Sequence, residues 1–495
     1  MQSSIRKILI ANRGEIALRV IRTCRQMGIN TVAVYSTADR GLPWTRWADE
    51  SVCLGPAPAS QSYLNQSALL ATCLDLGVDA VHPGYGFLSE NADFAELLEQ
   101  NQIRFIGPGP AAMRLMGDKI SARNHLQAHN LPVVPGYHGP DQSTERLEQE
   151  AERIGFPVML KASAGGGGRG LRVIQSASEL ATAVASARRE AENAFGDGTL
   201  FLEKYIQNPR HIEVQILADM HGNTTHVFER ECSMQRRHQK VIEESPSPIV
   251  DSATRDRLCR TAIAIAESVA YTGAGTVEFI YSADQAEFWF LEMNTRLQVE
   301  HPVTEMISGL DLVGEQIRIA AGQALSFAPA DLRSQGHSIE ARIYAEDPSN
   351  QFLPQAGHLL KVVAPDAVGV RIDHGFVEGD SVSIYYDPMI AKLIVHAPNR
   401  DAAIQKMKQA LQNYFIAGLK TNISFLLDLI QSPAFQSGDY NTNSIAALQN
   451  QAQASGTATE LAWQALGLLF FAGAANQSSP AWPGPMTGFS IWPAS

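Results

Sequence analysis

Val158-Met159-Leu160-Lys161, then Ala162-Ser163-Ala164-Gly165-Gly166-Gly167-Gly168-Arg169-Gly170, then Leu171-Arg172-Val173-Ile174: a glycine run is set between two short apolar stretches. A phosphate-binding loop of the Gly-Lys-Ser/Thr kind leads into a helix, and so does the dinucleotide fingerprint. Strands on both sides fit neither. They fit a mobile hairpin whose bare backbone amides close over phosphates, with Lys161 placing a point charge beside them. A flexible linker is the plainer alternative, and the flanking strands argue against it.

Upstream, Lys7 to Ala11 is a short apolar run, followed by the turn Asn12-Arg13-Gly14-Glu15, a helical pattern from Ile16 to Met27 and a β-branched run at Thr31 to Tyr35. That is one βαβ unit. Further strand-like runs at Ser51-Leu54, Ala80-His82 and Arg104-Ile106 alternate with helical stretches, so this part reads as a parallel, doubly wound sheet. His82-Pro83-Gly84-Tyr85-Gly86 stands at a strand end, where ligands of such sheets bind; a purely structural turn is the alternative. Downstream of Asp118-Lys119 the pattern becomes paired strands with helices between, to about residue 325, then β-rich from His337 to Val395. The fold class is α/β.

A chain of 495 residues has room for about three domains. Its apolar share of 45% and charged share of 18% place it with soluble enzymes and not with disordered chains. A formal net charge of -12 argues against a general binder of nucleic acid or anionic membrane, so anionic substrates must meet local positive charge. Cys24, Cys53, Cys73, Cys232 and Cys259 are scattered and include no Cys-x-x-Cys pair, which predicts neither disulfides nor zinc and points to the reduced cytoplasm. Strand-forming sequence begins at Arg6, so no signal peptide is expected. The run Leu461 to Ala475 falls short of the ~20 residues that span a bilayer and reads as a packed helix.

The most specific segment is Glu292-Met293-Asn294-Thr295-Arg296-Leu297-Gln298-Val299-Glu300. While extended, it puts Glu292, Asn294, Arg296, Gln298 and Glu300 on one face and Leu291, Met293, Leu297 and Val299 on the other. Thr276-Val277-Glu278-Phe279-Ile280 alternates too, and the two strands can pair through a turn around Ser282 to Gln285, bringing Glu278, Glu292 and the Asn294 amide together. Such oxygen ligands suit magnesium bridging to nucleotide phosphates, with manganese able to substitute. Arg296 could hold a small oxyanion and Glu300 could take its proton. Ser233-Met234-Gln235-Arg236-Arg237-His238-Gln239-Lys240 is a basic run without the interleaved aromatics of a single-strand nucleic-acid binder, and reads as a wall for phosphate and oxyanion.

Ala11 to Ala17, His82 to Asn91, Met116-Gly117-Asp118-Lys119, the glycine loop, Ser233 to Lys240 and Glu292 to Pro302 together resemble the biotin carboxylase family, over about residues 5 to 445. The resemblance implies a Rossmann-like domain at 1–118, an ATP-grasp domain at 119–330 with a glycine-rich lid at about 135–205, a β-rich C-terminal domain at 331–446 and a tail at 447–495. It implies that Lys119 and Lys161 contact ATP phosphates, with Gly167 and Gly168 on the lid. Glu203, Lys204, Tyr205 and Ile206 would line the adenine pocket, and His211, Gln235, His238 and Ile280 would complete the nucleotide site. Glu278, Glu292 and Asn294 would hold magnesium. Bicarbonate would lie against Lys240, Arg296, Gln298 and Val299, with Glu300 as base and Arg342 facing the biotin enolate.

The implied reaction is MgATP-dependent activation of bicarbonate through carboxyphosphate, then carboxylation of biotin. No Ala/Val-Met-Lys-Met biotinylation motif is present, and Lys406-Met407-Lys408 lies in a helical pattern. Biotin is therefore expected on a carrier protein or domain, working with a carboxyltransferase subunit, or else the sequence is cut short. Ser479-Pro480-Ala481-Trp482-Pro483 through Trp492 looks like the region that follows the carboxylase domain in acyl-CoA carboxylase α chains. A homodimer is implied as well, with Arg19 and Arg22 matching interface positions. Alternatives are another ATP-grasp ligase that activates bicarbonate or a carboxylate for an amine, and a nucleotide-binding subunit without turnover; intact Lys240, Arg296, Glu300 and Arg342 speak against the second.

Overall fold

A computed structural model describes residues 5–162, 172–195, 198–237 and 239–455. Gly167 and Gly168 of the glycine run, His238, and the tail from 456 with its expected helix lie outside the described residues.

Five parallel strands, β1 (Lys7–Ile10), β2 (Asn30–Ser36), β3 (Glu50–Gly55), β4 (Ala80–His82) and β5 (Arg104–Phe105), form a sheet in the order β3-β2-β1-β4-β5. This is the doubly wound sheet read from the sequence. Its order reverses between β1 and β4, where such sheets open a crevice at their strand C-termini. Asn12 and the His82-Pro83-Gly84-Tyr85 turn meet there: Asn12 Nδ2 donates to the carbonyls of Pro83 at 2.6 Å and Tyr85 at 2.7 Å. Gly84 has φ +64°, and a Cβ on it would come within 2.9 Å of Asn12 Nδ2, so both conformation and space require glycine.

The stretches flanking the glycine run pair antiparallel, β7 (Val158–Ala162) with β8 (Arg172–Ile174), in the register Val158↔Ile174. With β6 (Gly136–Tyr137) and β9 (Leu200–Lys204) they make a four-stranded sheet. Leu147, Leu180 and Val184 from two helices cover Val158, Leu160, Leu200 and Leu202 of that sheet.

The largest sheet has eight strands: β10 (Arg210–Ala218), β11 (Thr224–Arg236), β12 (Gln239–Ser245), β13 (Gly273–Ser282), β14 (Glu287–Asn294), β15 (His337–Tyr344), Val370–His374 and Met389–Ala397. It runs without a break across residue 331, because β12 pairs with β15 through Ile242↔Ala341 and Glu243↔Glu340. Alternation sorts its two faces. Ile212, Val214, Ile216, Val277 and Phe279 pack on Leu258, Ala262 and Ile265 of the helix Ser252–Ser268, each fully buried side chain contributing about 1.5–3 kcal/mol. The opposite face is charged. Register sets Glu292 beside Glu278, Glu278 beside Glu213, and Glu213 beside Arg230, across four strands. Arg342, Lys392 and Asp373 form a second row on the C-terminal strands.

The C-terminal strands also close on the parallel sheet. A Cβ on Gly375 would lie 2.9 Å from the Cα of Gly14 and 2.7 Å from the nitrogen of Glu15, so only a glycine lets the two segments meet. Lys406-Met407-Lys408 lies in the helix Arg400–Asn413, as its pattern predicts. Among the described residues no helix is long and apolar enough to cross a membrane.

Candidate active site

The expected strand from Glu292 to Glu300 ends early. β14 stops at Asn294, residues 295–300 turn, and a helix begins at His301, whose N-terminus is marked by Pro302. The turn aims the functional side chains inward without strict alternation. Arg296 Nη2 donates to Asn294 Oδ1 at 2.8 Å, Asn294 Nδ2 to Glu278 Oε1 at 2.8 Å, and Gln298 Nε2 to the same Glu278 oxygen at 2.6 Å. The Val299 carbonyl accepts from Lys392 Nζ at 2.7 Å.

Lys240, on β12, is the hub. Its Nζ reaches Glu213 at 2.5 Å, Glu278 at 2.9 Å and Glu300 at 2.5 Å. Burial would strip its proton, but these three carboxylates raise its pKa well above the ordinary lysine value. Glu300 accepts from Arg342 Nη2 at 3.0 Å on its other oxygen. Burial pushes the Glu300 carboxyl up; Lys240, against Glu213, and then Arg342 and Arg230 leave it below the usual range. Glu300 is thus a carboxylate at neutral pH, buried and able to accept a proton.

At the other end, His211 Nε2 lies 3.0 Å from Glu278, and Glu278, against the effect of burial, is held below the ordinary range by Lys240 and His211. Burial works against the imidazolium, yet Glu278 lifts the His211 pKa to about 9. His211, Glu213 and Glu278 offer atoms within 4.8 Å of one another, but a protonated imidazole is no metal ligand and Glu213 is saturated by Arg230 and Lys240. The set expected from the sequence, Glu278 with its register partner Glu292, and Asn294, has the hard oxygen donors that magnesium takes. Here, however, Glu278 Oε1 accepts from Lys240, Asn294 and Gln298, and Asn294 Oδ1 accepts from Arg296, so both would have to exchange these bonds for an ion. Glu292 meets Lys119 Nζ at 3.3 Å.

The remaining sequence candidates are placed as follows. Lys161 donates to Glu203, which also pairs with Arg123, so the Glu203 side chain is engaged within the four-stranded sheet. Lys204 Nζ turns to the carbonyls of Gly155 and Phe156, the Tyr205 amide bonds to Pro157, and Ile206 is buried. Ile280 is the register partner of His211, and Gln235 of Lys240. The basic run is divided: Lys240 faces the cluster, whereas Arg236 pairs with Glu346 at 2.9 Å and stacks over Phe352 at 3.8 Å. Arg19, matched to an interface, is buried against Glu305 and Asp311, each at 2.7 Å; Arg22 is half-buried and donates to Asp373 at 3.3 Å.

Sequence reasoning missed Arg230, Glu213, Glu243 and Lys392. Arg230 is wholly buried and donates to Glu213, Gln215, Thr304, Thr276 and, at 2.6 Å, Gln298. Charged residues inside strands otherwise built for burial were the available signal. Glu90 accepts from Arg296 Nε at 2.8 Å and so ties the parallel-sheet region to the turn that follows β14.

Three family profiles match in succession: "Biotin carboxylase, N-terminal domain" over 4–113, "Carbamoyl-phosphate synthase L chain, ATP binding domain" over 118–328 and "Biotin carboxylase C-terminal domain" over 340–447. Biotin carboxylase 1 of Bacillus subtilis is 48% identical over 438 residues, 88% of this chain and 97% of that protein. The mitochondrial methylcrotonoyl-CoA carboxylase subunit alpha of rice is 52% identical over 456 residues, 92% of this chain but 62% of the rice protein's length. A Campylobacter jejuni biotin carboxylase crystallised with β,γ-ATP superposes with a TM-score of 0.84 at 49% identity, covering 90% of this chain and 99% of that one. The biotin carboxylase domain dimer of Hydrogenobacter thermophilus 2-oxoglutarate carboxylase, holding MgADP and bicarbonate, gives 0.82 at 44%, covering 90% and 98%. On these matches and the cluster they coincide with, the chain belongs to the biotin carboxylase family of ATP-dependent ligases.

Proposed function

We propose that this chain carboxylates carrier-borne biotin with MgATP and bicarbonate, as the biotin carboxylase component of an acyl-CoA carboxylase. The observation that carries the reading is Glu300, an ionised base clamped between Lys240 and Arg342 within a turn that also carries Arg296 and Gln298. Lys119 and Lys161 would meet the ATP phosphates, with Gly167 and Gly168 closing over them. Glu203 to Ile206, His211, Gln235, His238 and Ile280 would surround the rest of the nucleotide. A magnesium ion on Glu278, Glu292 and Asn294 would neutralise charge on the transferring phosphoryl group.

Bicarbonate is a poor electrophile and needs activation. Arg296 and Lys240 would hold it, with Gln298 and Val299 alongside, and Glu300 would take its proton as its oxygen bonds to the γ-phosphorus and the bond to ADP breaks. Carboxyphosphate then splits into carbon dioxide and phosphate, and that phosphate accepts the N1 proton of biotin. Arg342 would face the enolate oxygen as N1 bonds to carbon dioxide. Water must be kept from so short-lived an intermediate, which gives a glycine hairpin a reason to close.

The proposed partition is a Rossmann-like domain to 118, ATP-grasp to 330 and a C-terminal domain to 446, with partners of the carrier and carboxyltransferase classes and a homodimeric assembly. Its test is transfer of label from bicarbonate to biotin by the purified chain. Label on biotin that needs both ATP and Glu300 is the expected result; equal labelling by Glu300→Gln would defeat the assignment of the base.

A further inference from the structure

Arg342 has a second carboxylate partner that the reaction above does not use. Glu243, on β12, accepts from Arg342 Nε at 2.6 Å. Glu243 and Glu340 are register partners between β12 and β15, so their side chains leave the same face with Cβ atoms about 5 Å apart, and Arg342 follows two residues on along that face. Both glutamates are 0% exposed. Among the described residues, Glu243 Oε2 and both carboxyl oxygens of Glu340 have no hydrogen-bond partner. The nearest cation on the next strand, Lys392, is spent on the Val299 carbonyl at 2.7 Å and on Glu15 at 3.3 Å.

Unpartnered acceptors in a dry interior are costly, and two adjacent buried carboxylates repel. One proton between the two glutamates relieves both penalties. We propose that Glu340 is a positioning residue whose carboxyl keeps its proton and donates it to Glu243 Oε2, so that Glu243 stays an anionic acceptor for Arg342 Nε and aims the guanidinium at the biotin enolate. Burial first, then Glu243 and Glu300 against Lys392 and Arg342, hold the Glu340 pKa well above the ordinary value. No proton is consumed or released by the pair during turnover. The inference rests on the biotin carboxylase reading, and it adds to the site a carboxyl pair that touches no substrate.

The test compares Glu340→Gln with Glu340→Leu in the whole chain. Glutamine reproduces a neutral donor and should keep kcat and the KM for biotin within about twofold, whereas leucine should cost about tenfold or more in the biotin-dependent rate. ADP release with bicarbonate but no biotin should be kept in the glutamine variant and should fall several-fold less than the biotin-dependent rate in the leucine variant, because Lys240 still holds Glu300 when Arg342 shifts. A glutamine variant as impaired as the leucine variant, or a parallel fall of both rates, would overturn the proposal. Infrared difference spectra of wild type against Glu340→Gln need no turnover: a protonated-carboxyl band lost from the variant at neutral pH is expected, and its absence from wild type also overturns the pair. A wild-type chain that ignores biotin would count against the functional reading alone, since the band still decides the pair.

Discussion

Glu213 and Glu340 lie on the charged face of one sheet and are equally buried, yet they carry opposite chemistry. Glu213 is met by Arg230 and by Lys240 at 2.5 Å, which, against the effect of burial, hold its pKa well below the ordinary value. Among the described residues Glu340 meets no donor, and burial drives its pKa well above it. The same contrast divides the face into two regions. Around Glu213 and Glu278 stand Arg230, Lys240 and His211, whereas Glu243, Glu340 and the nearby Glu15 feel Arg342 and Lys392 most, with Lys240 and Arg371 adding less, too little to offset burial. Burial raises every one of these acids; the local supply of cations decides which ionise. Glu300 sits on the border, with Lys240 on one oxygen and Arg342 on the other.

Breaking the border should have the largest effect. Glu300→Gln should lower biotin carboxylation by about 10²–10⁴-fold, the usual worth of a general base, while ATP binding measured by calorimetry is retained. Next comes the cation-rich region. Glu213→Ala leaves Arg230 and Lys240 facing a void and should lower folding stability by about 3–5 kcal/mol in urea denaturation.

The cation-poor region should respond to pH with the opposite sign. Burial raises the Glu15 carboxyl, against Lys392, from 4.5 to about 7, so the folded state holds a proton that the unfolded chain loses. Its contribution is present below about pH 4.5 and is lost as pH climbs through 7, a fall of roughly 3 kcal/mol that Glu15→Gln should remove. Glu213 and Glu278, held low, lose theirs as pH falls. Urea midpoints of wild type and Glu15→Gln across that range would show whether the two curves converge in acid. The smallest effect belongs to Glu340→Gln, which replaces one neutral acceptor and donor with another and should change stability by less than about 1 kcal/mol.

Much of this was legible in the sequence where a pattern is local. The strands of the parallel sheet, the pairing of β13 with β14 through Glu278 and Glu292, and the strands around the glycine run follow from alternation and turn residues over a few positions. The turn that ends β14 at Asn294 was not, because Thr295 to Glu300 keeps strand-like alternation while Glu90, from a segment far away in the chain, pulls Thr295 and Arg296 out of line. Arg19 is matched to an interface position by resemblance alone, and nothing local shows that Glu305 and Asp311 close over it within the chain. The role of Arg342 toward biotin came only through family resemblance, and its place beside Glu300 not at all, since that depends on β12 and β15 joining in one sheet. Glu243 and Glu340 were invisible for the same reason: a charge in a buried strand shows its partner only when the neighbouring strand is known.

The most direct measurement is ADP release by the purified chain with magnesium, bicarbonate and ATP, with and without free biotin. A clear biotin-dependent increase is the predicted result; ATP binding with no response to biotin would contradict the account.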